Sequence, residues 1–392
     1  AVVTGDDLMP QLPALREALP AVREIQSGAP LPDKLLTANA YLGALPVKAA
    51  LDAGAQVVIT GRCVDSAVTL GVLMHAFDWG ADEYDKLAQG SLAGHIIECG
   101  CQATGGLHTD WRKVPDWANM GYPVIEAEAS GSFVVTKPPG TGGLVSVPSI
   151  AEQVLYEVGD PARYILPDVV CDFTRVSLTQ LDAEHVRVEG ARGLPPTDSY
   201  KVCATYPDGF RATAQLTVVG FEAAAKATRT AQAVLARTRR LFAEAGLADY
   251  SATLIEILGA ETSHGPHASG AQTHEAVMRL AVAHPDKLAL DIFAREIAPS
   301  GTSWAPGTTG QAGRPTVSRV LKQYSFLLDK ARVPVRVRLD DRSIDVPPPH
   351  GEPLPQRQPD ERAVGQSVAE ELVTVPLIRA ASGILLVVFC SK

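Results

Sequence analysis

The sequence predicts an α/β fold: a largely parallel sheet with flanking helices, followed by a second α+β domain rich in antiparallel strands. Three observations predict it. In the first 80 residues, apolar strand-like runs alternate with helical ones, the β-α-β-α order that builds a parallel sheet. QVVITG (residues 56–61) reads as apolar throughout, as a strand covered by helices on both faces does. From Tyr164 the pattern changes to alternation, the mark of half-buried antiparallel strands.

In chain order, residues 1–5 are a strand with Gly5, Asp6 and Asp7 as its exit loop. PQLPALREALP is a short helix bounded by prolines, LLTANA (35–40) a strand, and 45–53 a helix stopped at Gly54. After strand 56–61, residues 64–77 are apolar on nearly every side and predict a buried helix. Residues 83–101 form the next helix, with Ser91, His95 and Glu98 beside a stripe of Leu92, Ile96 and Cys99. Its Gly90 and Gly94 cost roughly 1 kcal/mol each relative to Ala, so another backbone or a ligand is expected against that face. Residues 124–135 are strand-rich, TKPPGTGG (136–143) is irregular, and 150–159 is a helix capped by Ser149. RVSLTQLDAEHVRVEG alternates as strands, and SYKVCATYPDGFRATAQLTVVG reads as a hairpin turning at Pro207-Asp208-Gly209. A long helix (221–246), a strand (254–258) and a Gly/His/Ser loop (262–273) follow. Helices at 274–283 and 286–297, a glycine-rich loop (300–310) and two strands within 317–339 complete the pattern. PPPHGEPLPQRQPDER is a semi-rigid linker. The domains are therefore an α/β domain (1–160), an α+β domain (161–345), and a linker with an aberrant or cut-short tail (346–392).

The chain has 392 residues, 46% hydrophobic and 20% charged, enough for a large core and two or three domains. A net charge of −9 with scattered cations argues against nucleic acid as a partner. No apolar run approaches the ~20 residues of a membrane helix, and no basic-then-apolar leader opens the chain. The six cysteines (Cys63, Cys99, Cys101, Cys171, Cys203, Cys390) form no C-x-x-C pair, which points to reduced thiols in the cytoplasm. With no initiator Met and an opening inside a strand, the sequence is expected to be a piece whose start is cut away.

Ligands of open α/β sheets gather outside the carboxyl ends of the strands. Arg62, Asp65 and Ser66 leave strand 56–61 there, where helix N–H groups face an anion; Asp6 and Asp7 leave the first strand in the same manner. The plain alternative is that Asp65 or Ser66 caps the helix and Arg62 pairs with Asp65. His95 and Glu98, one turn apart, suit an acid–base pair or a satisfied polar pair between helices. His108, in the loop after Gly105-Gly106, is a rival base. Lys137 with the amides of Gly140, Thr141, Gly142 and Gly143 suits a carboxylate or phosphate; a rigid turn with a solvent-facing Lys is the alternative. The Lys precedes the glycines, so this is no nucleotide loop. No G-x-G-x-x-G follows a strand and no G-x-S-x-G elbow is present, so neither a dinucleotide cofactor nor a serine hydrolase is expected. His264, His267 and His274 share a Gly/Ser loop but have no acidic ligand at a clear spacing, so no metal is expected there.

GRCVDSAVTLG, the His95 helix, TKPPGTGGLVSVPSIAEQVLYEVGDP, PDVVCDFTRV, APGTTG and GRPTVSRVLKQYSF together resemble the acyclic terpene utilisation family, from the first residues to about Leu339. The resemblance implies a bacterial protein of terpenol breakdown, encoded beside enzymes of branched acyl-CoA esters. It also implies ~100 further residues before this start, one small domain's worth, and in many members a ferredoxin-like end that GILLVVFCSK does not match. On this footing the expected substrate is a branched acyl or acyl-CoA compound, handled by a hydratase, lyase or isomerase that needs no cofactor. Lys137 and its glycines then hold the anionic group, Arg62 a carboxylate or thioester oxygen, and His95 with Glu98, or Asp65, moves protons. A non-catalytic subunit that presents or sequesters a terpenoid intermediate is the alternative. A homo-oligomer is compatible with either, and no membrane partner is expected.

Overall fold

The computed structural model describes residues 1–18 and 22–353; Cys390, the tail and most of the expected linker lie outside the described residues. The described residues divide into two compact units, one built from 1–18, 38–203 and 325–353, the other from 22–37 and 204–324. The elements begin with β1 (Val2–Thr4), α1 (Leu12–Ala18), β2 (Thr37–Ala40), α2 (Leu45–Asp52), β3 (Ile59–Thr60), α3 (Ala67–Ala76) and α4 (Tyr84–Glu98). They continue with β4 (Val124–Ala127), β5 (Phe133–Thr136), α5 (Val147–Leu155), β6 (Tyr164–Ile165), β7 (Val170–Asp172), β8 (Ser177–Asp182), β9 (His185–Glu189) and β10 (Arg192–Leu194). The last are β11 (Ser199–Val219), α6 (Ala223–Glu244), β12 (Ala252–Leu258), β13 (Glu275–His284), α7 (Lys287–Arg295), α8 (Ser300–Ser303), β14 (Thr308–Gln311), β15 (Ser318–Asp329), β16 (Arg336–Leu339) and β17 (Arg342–Asp345).

The fold is mixed α/β, but its sheets are mostly antiparallel, which corrects the expected largely parallel sheet. In the first unit β1 does pair with β3 in parallel, Val2 opposite Ile59. Its other neighbour is β16, which returns from more than 300 residues away and runs antiparallel, with β17 beyond it. β2 pairs with β11 and so leaves the parallel series. The sheet of order β4-β5-β9-β8 and the small sheet β10-β7-β6 are antiparallel throughout.

Two local expectations change with the topology. Only Ile59–Thr60 of QVVITG is strand, and it is an edge: Val57 and Ile59 are 68% and 62% exposed, not covered on both faces. Helix α3 likewise exposes Val68 and Val72 and buries only Ala67, Leu70, Gly71 and Met74. The helix expected at 150–159 starts earlier, at Val147. Ser146 is its cap, accepting from the Ser149 N–H while Ser149 Oγ accepts from the Ser146 N–H, a reciprocal box.

The core of the first unit wraps α4, which is buried on all sides from Leu87 to Ile96. Leu92, Ile96, Trp79, Phe133, Val135, Ile150 and Val188 belong to one apolar cluster. The glycines of α4 permit this closeness. A Cβ on Gly90 would sit 2.8 Å from Leu70 Cδ1, and one on Gly94 2.8 Å from Ser66 Cα. It is therefore another helix that approaches this face of α4, carrying Ser66 at its start.

In the second unit, α6 lays Ala227, Ala231, Val234 and Leu235 into a core shared with α7 and the alternate residues of β13, and packs Phe242 against the rings of Tyr250 and His284. Three expectations change here. EAVMRLAVAH, expected to be helical, is strand β13: buried and half-buried residues alternate along it, and it is paired on both edges, by β11 and β12. Pro207-Asp208-Gly209 does not turn, and β11 runs through it unbroken. Gly209 takes φ +75° with its backbone close to His284, and the Asp208 carboxylate pairs with Lys322 at 2.6 Å. The expected loop 300–310 holds the short helix α8 and the start of β14.

Candidate functional site

The chain leaving β3 is held in place by two neighbours. The buried Asp6 carboxylate accepts from the Arg62 N–H at 2.8 Å and from Asn39 Nδ2 at 2.9 Å. Gly61 fits only because it lacks a Cβ, which would collide with that carboxylate. On the other side the Leu42 N–H donates to the Arg62 carbonyl at 3.1 Å and the Val64 N–H to the Leu42 carbonyl at 3.0 Å. One residue earlier, the Tyr41 N–H donates to the Lys201 carbonyl at 2.9 Å. Tyr41 thereby carries two cations over its ring, with Arg62 Cζ 5.2 Å and Lys201 Nζ 5.7 Å from the ring centre, within cation–π reach.

Two hollows open beside this seat and share Asp65 and Glu98. One is a cleft of about 670 Å³ along Asn39, Gly61, Arg62 and Cys63. The other is a narrower cavity of about 240 Å³ lined by Tyr41, Ser66, His95, Tyr164, Leu166 and Lys201 among others. Arg62, Asp65, Glu98 and Lys201 are all exposed to it or to the cleft, and among the described residues none of the four is in an ion pair. Burial, and then the negative charge of Asp65, push the Glu98 carboxyl above the usual carboxylate range. Tyr164 is pushed up to about 12 by burial and by Glu98.

The other expected residues divide cleanly. His95 lines the cavity, but its partner is not Glu98. Its Nε2 donates to the Gln153 carbonyl at 2.9 Å, and Gln153 Nε2 donates back to the His95 carbonyl at 3.0 Å. This is the polar pair between helices, and burial lowers the imidazole pKa, keeping the ring neutral. Ser66 begins α3 without a side-chain cap bond, and the alternative Arg62–Asp65 ion pair is not formed among the described residues. Asp7 accepts from the Met9 N–H at 3.0 Å and lines neither hollow. His108 is buried against Glu152, Nδ1 to Oε2 at 2.8 Å, away from the cleft.

Lys137 is the largest departure from expectation. Its buried ammonium donates to the Thr141 carbonyl at 2.8 Å and to Glu184 at 2.7 Å, closing its own loop. Gly142 packs on the backbone of Asp116, and a Cβ added to Gly143, at φ +92°, would sit 2.6 Å from the Thr104 carbonyl oxygen. Gly140 also takes positive φ, and its carbonyl accepts from Asn119. The loop is a rigid turn, with its lysine turned inward rather than to solvent, and it offers no cradle to an anion. His274 packs its ring on Phe221, and no group of three His, Cys, Asp or Glu side chains among the described residues is set to hold a metal ion. No described helix is long and apolar enough to cross a membrane.

Sequence reasoning missed Tyr41, Tyr164 and Lys201. Tyr41 was within reach, because it leaves strand LLTANA at its carboxyl end, the same rule that selects Arg62. Lys201 sits in an ordinary alternating strand and is brought in only by long-range pairing. Also missed is Lys330, fully buried, whose Nζ donates to the carbonyls of Pro167 and Thr197, two residues of the cavity wall.

Compared with known families, residues 1–339 match the family model described as acyclic terpene utilisation family protein AtuA. No curated protein matches the chain.

Proposed function

The chain belongs to the acyclic terpene utilisation family, and from that premise we propose that it carries out acid–base chemistry on a branched acyl or acyl-CoA compound derived from an acyclic terpene. The reaction class is that of a hydratase, lyase or isomerase, and its setting is the cytoplasm. The observation that carries this reading is the sharing of two adjoining hollows by Asp65 and Glu98, neither of them in an ion pair among the described residues. A carboxyl held above its usual range, as burial and Asp65 hold Glu98, suits a proton donor. Asp65 takes the proton from the carbon beside the acyl carbonyl, and Glu98, whose burial favours its neutral form, returns a proton to the developing double bond or leaving oxygen. Arg62 holds the acyl oxygen as charge builds on it. His95 is a positioning residue here, since its imidazole is engaged by Gln153.

The test is turnover of branched acyl-CoAs and free branched acids followed by mass spectrometry. Asp65→Asn and Glu98→Gln are each expected to slow conversion by ~10²–10⁴-fold, the usual contribution of a positioned acid or base. With Glu98 as the acid, the rate falls as pH rises through its raised pKa, and Glu98→Gln lacks that limb. Unchanged turnover in both variants would sink the assignment. Tight binding of such compounds with no change in their mass would establish the presenting subunit instead.

A further inference from the structure

We propose that Lys201 and Arg62, closing over the face of Tyr41, form an anion clamp that takes the charged head of the ligand, while its apolar tail enters the narrower cavity past Tyr164. The inference rests on the functional reading above only for the ligand's branched tail; the clamp itself stands on geometry.

Four observations carry it. First, the seat is built by the backbone. The Tyr41 N–H reaches the Lys201 carbonyl at 2.9 Å and the next residue's N–H the Arg62 carbonyl at 3.1 Å, so the two cations lie over one aromatic ring. Second, neither cation is in an ion pair among the described residues, whereas Lys137 and Lys330 are wholly engaged inside the fold. A cation with no internal acceptor, at the mouth of a cavity, is available to an external one. Third, each cation stands on the wall of one of two adjoining hollows, Arg62 on the cleft and Lys201 on the narrower cavity. Fourth, Tyr164, Ile165, Leu166 and Leu327 give the narrower cavity, of about 240 Å³, an apolar stretch of wall suited to a short branched tail.

Two sources supply such a head, the carboxylate of a free branched acid or a phosphate of its coenzyme A ester. Isothermal titration of the full chain separates them, using a branched ten-carbon monocarboxylic acid, the primary amide of that acid, and coenzyme A alone. The acid is expected to bind at least tenfold more tightly than the neutral amide. Lys201→Gln is expected to weaken the acid about tenfold and leave the amide unchanged, with an unaltered thermal melt because the side chain is exposed. Should coenzyme A bind and lose affinity in K201Q while the acid does not bind, the clamp holds, its anion is a phosphate, and Arg62 is then engaged by that phosphate and not by the acyl oxygen. Equal binding of acid and amide without any binding of coenzyme A, binding of neither anion, or full affinity of K201Q for whichever anion binds overturns the proposal. Since the readout is binding, the clamp survives even if D65N and E98Q leave turnover untouched, and it fails independently of them.

Discussion

Two glycine-bearing stretches each carry a cation, Lys137 in TKPPGTGG and Arg62 in GRCVDSAVTLG, and the fold uses them in opposite ways. Lys137 is buried and its bonds end within its own loop and on Glu184. Arg62 is exposed, its guanidinium lies over Tyr41, and among the described residues its hydrogen bonds are made by its backbone. Glycine supplies close approach in both places, to the Asp116 backbone in one and to the Asp6 carboxylate in the other. The difference lies in what waits for the cation. Internal acceptors make a buried lysine a fastener, and their absence leaves a cation free to meet a ligand. Lys330 belongs with Lys137 on this division, and Lys201 with Arg62.

The sharpest test of the division is Lys330→Met, which leaves the Pro167 and Thr197 carbonyls without their donor. A loss of about 3 kcal/mol is expected from two hydrogen bonds to a charged group, less what the uncharged side chain regains, read as a fall in the urea midpoint at constant slope. Burial lowers the Lys330 pKa to about 8, below its unfolded value, so from about pH 8 upward the unfolded chain binds the proton more readily than the folded one. Stability from this group therefore rises with pH above 8, and wild type should gain on K330M as urea melts move from pH 8 to 10. A flat difference would show that Lys330 is not held as described.

Next in size is Gly94→Ala. The added methyl meets Ser66 Cα, a backbone atom that cannot swing aside, so about 2–3 kcal/mol is expected from overpacking, seen as a lower Tm. Unchanged melting would mean that α3 and α4 do not cross this closely.

Of the fold, the local elements were legible and their partners were not. The strand at 1–5, the helix ending at Gly54 and the long α6 follow from periodicity and stop signals that act over a few residues. The parallel sheet was misjudged because β1 takes β16 as its second neighbour, which no signal near Val2–Thr4 announces. EAVMRLAVAH is rich in good helix formers, and its apolar residues are dense enough to satisfy either period. Two flanking strands decide the matter in favour of β13. The same logic divides the site. Arg62, Asp65 and Glu98 are found from a strand exit and a helical spacing, whereas Lys201 enters only through the bond between its carbonyl and Tyr41. Lys137 misled because a lysine beside glycines looks the same in sequence whether its ammonium points into the loop or out of it.

Lys137→Ala against Arg62→Ala tests the opening comparison directly. Lys137→Ala is expected to lower stability by about 2 kcal/mol, leaving the Thr141 carbonyl unpaired; the half-exposed Glu184 adds little. Arg62→Ala should stay within about 0.5 kcal/mol, as surface changes do, while weakening ligand binding. Equal melting losses in the two variants would erase the distinction between fastener and free cation.

The smallest effect is on the carboxylate facing the clamp. The Glu98 pKa is raised by burial and by Asp65, so its contribution to stability is complete below the unfolded carboxylate range and is lost as pH rises through the folded value. Above that range the ion is held less favourably in the folded chain than in the unfolded one, and Glu98→Gln, neutral at every pH, is expected to melt slightly higher than wild type at pH 7. The gain should be no more than about 0.5 kcal/mol, because the side chain is open to solvent, and it should vanish near pH 4. A variant more stable at pH 7 and slower in turnover would mark Glu98 as a residue kept for chemistry, since the fold alone prefers the amide. A variant less stable at pH 7 would place Glu98 with Lys137 and Lys330, among the charges that hold the molecule together.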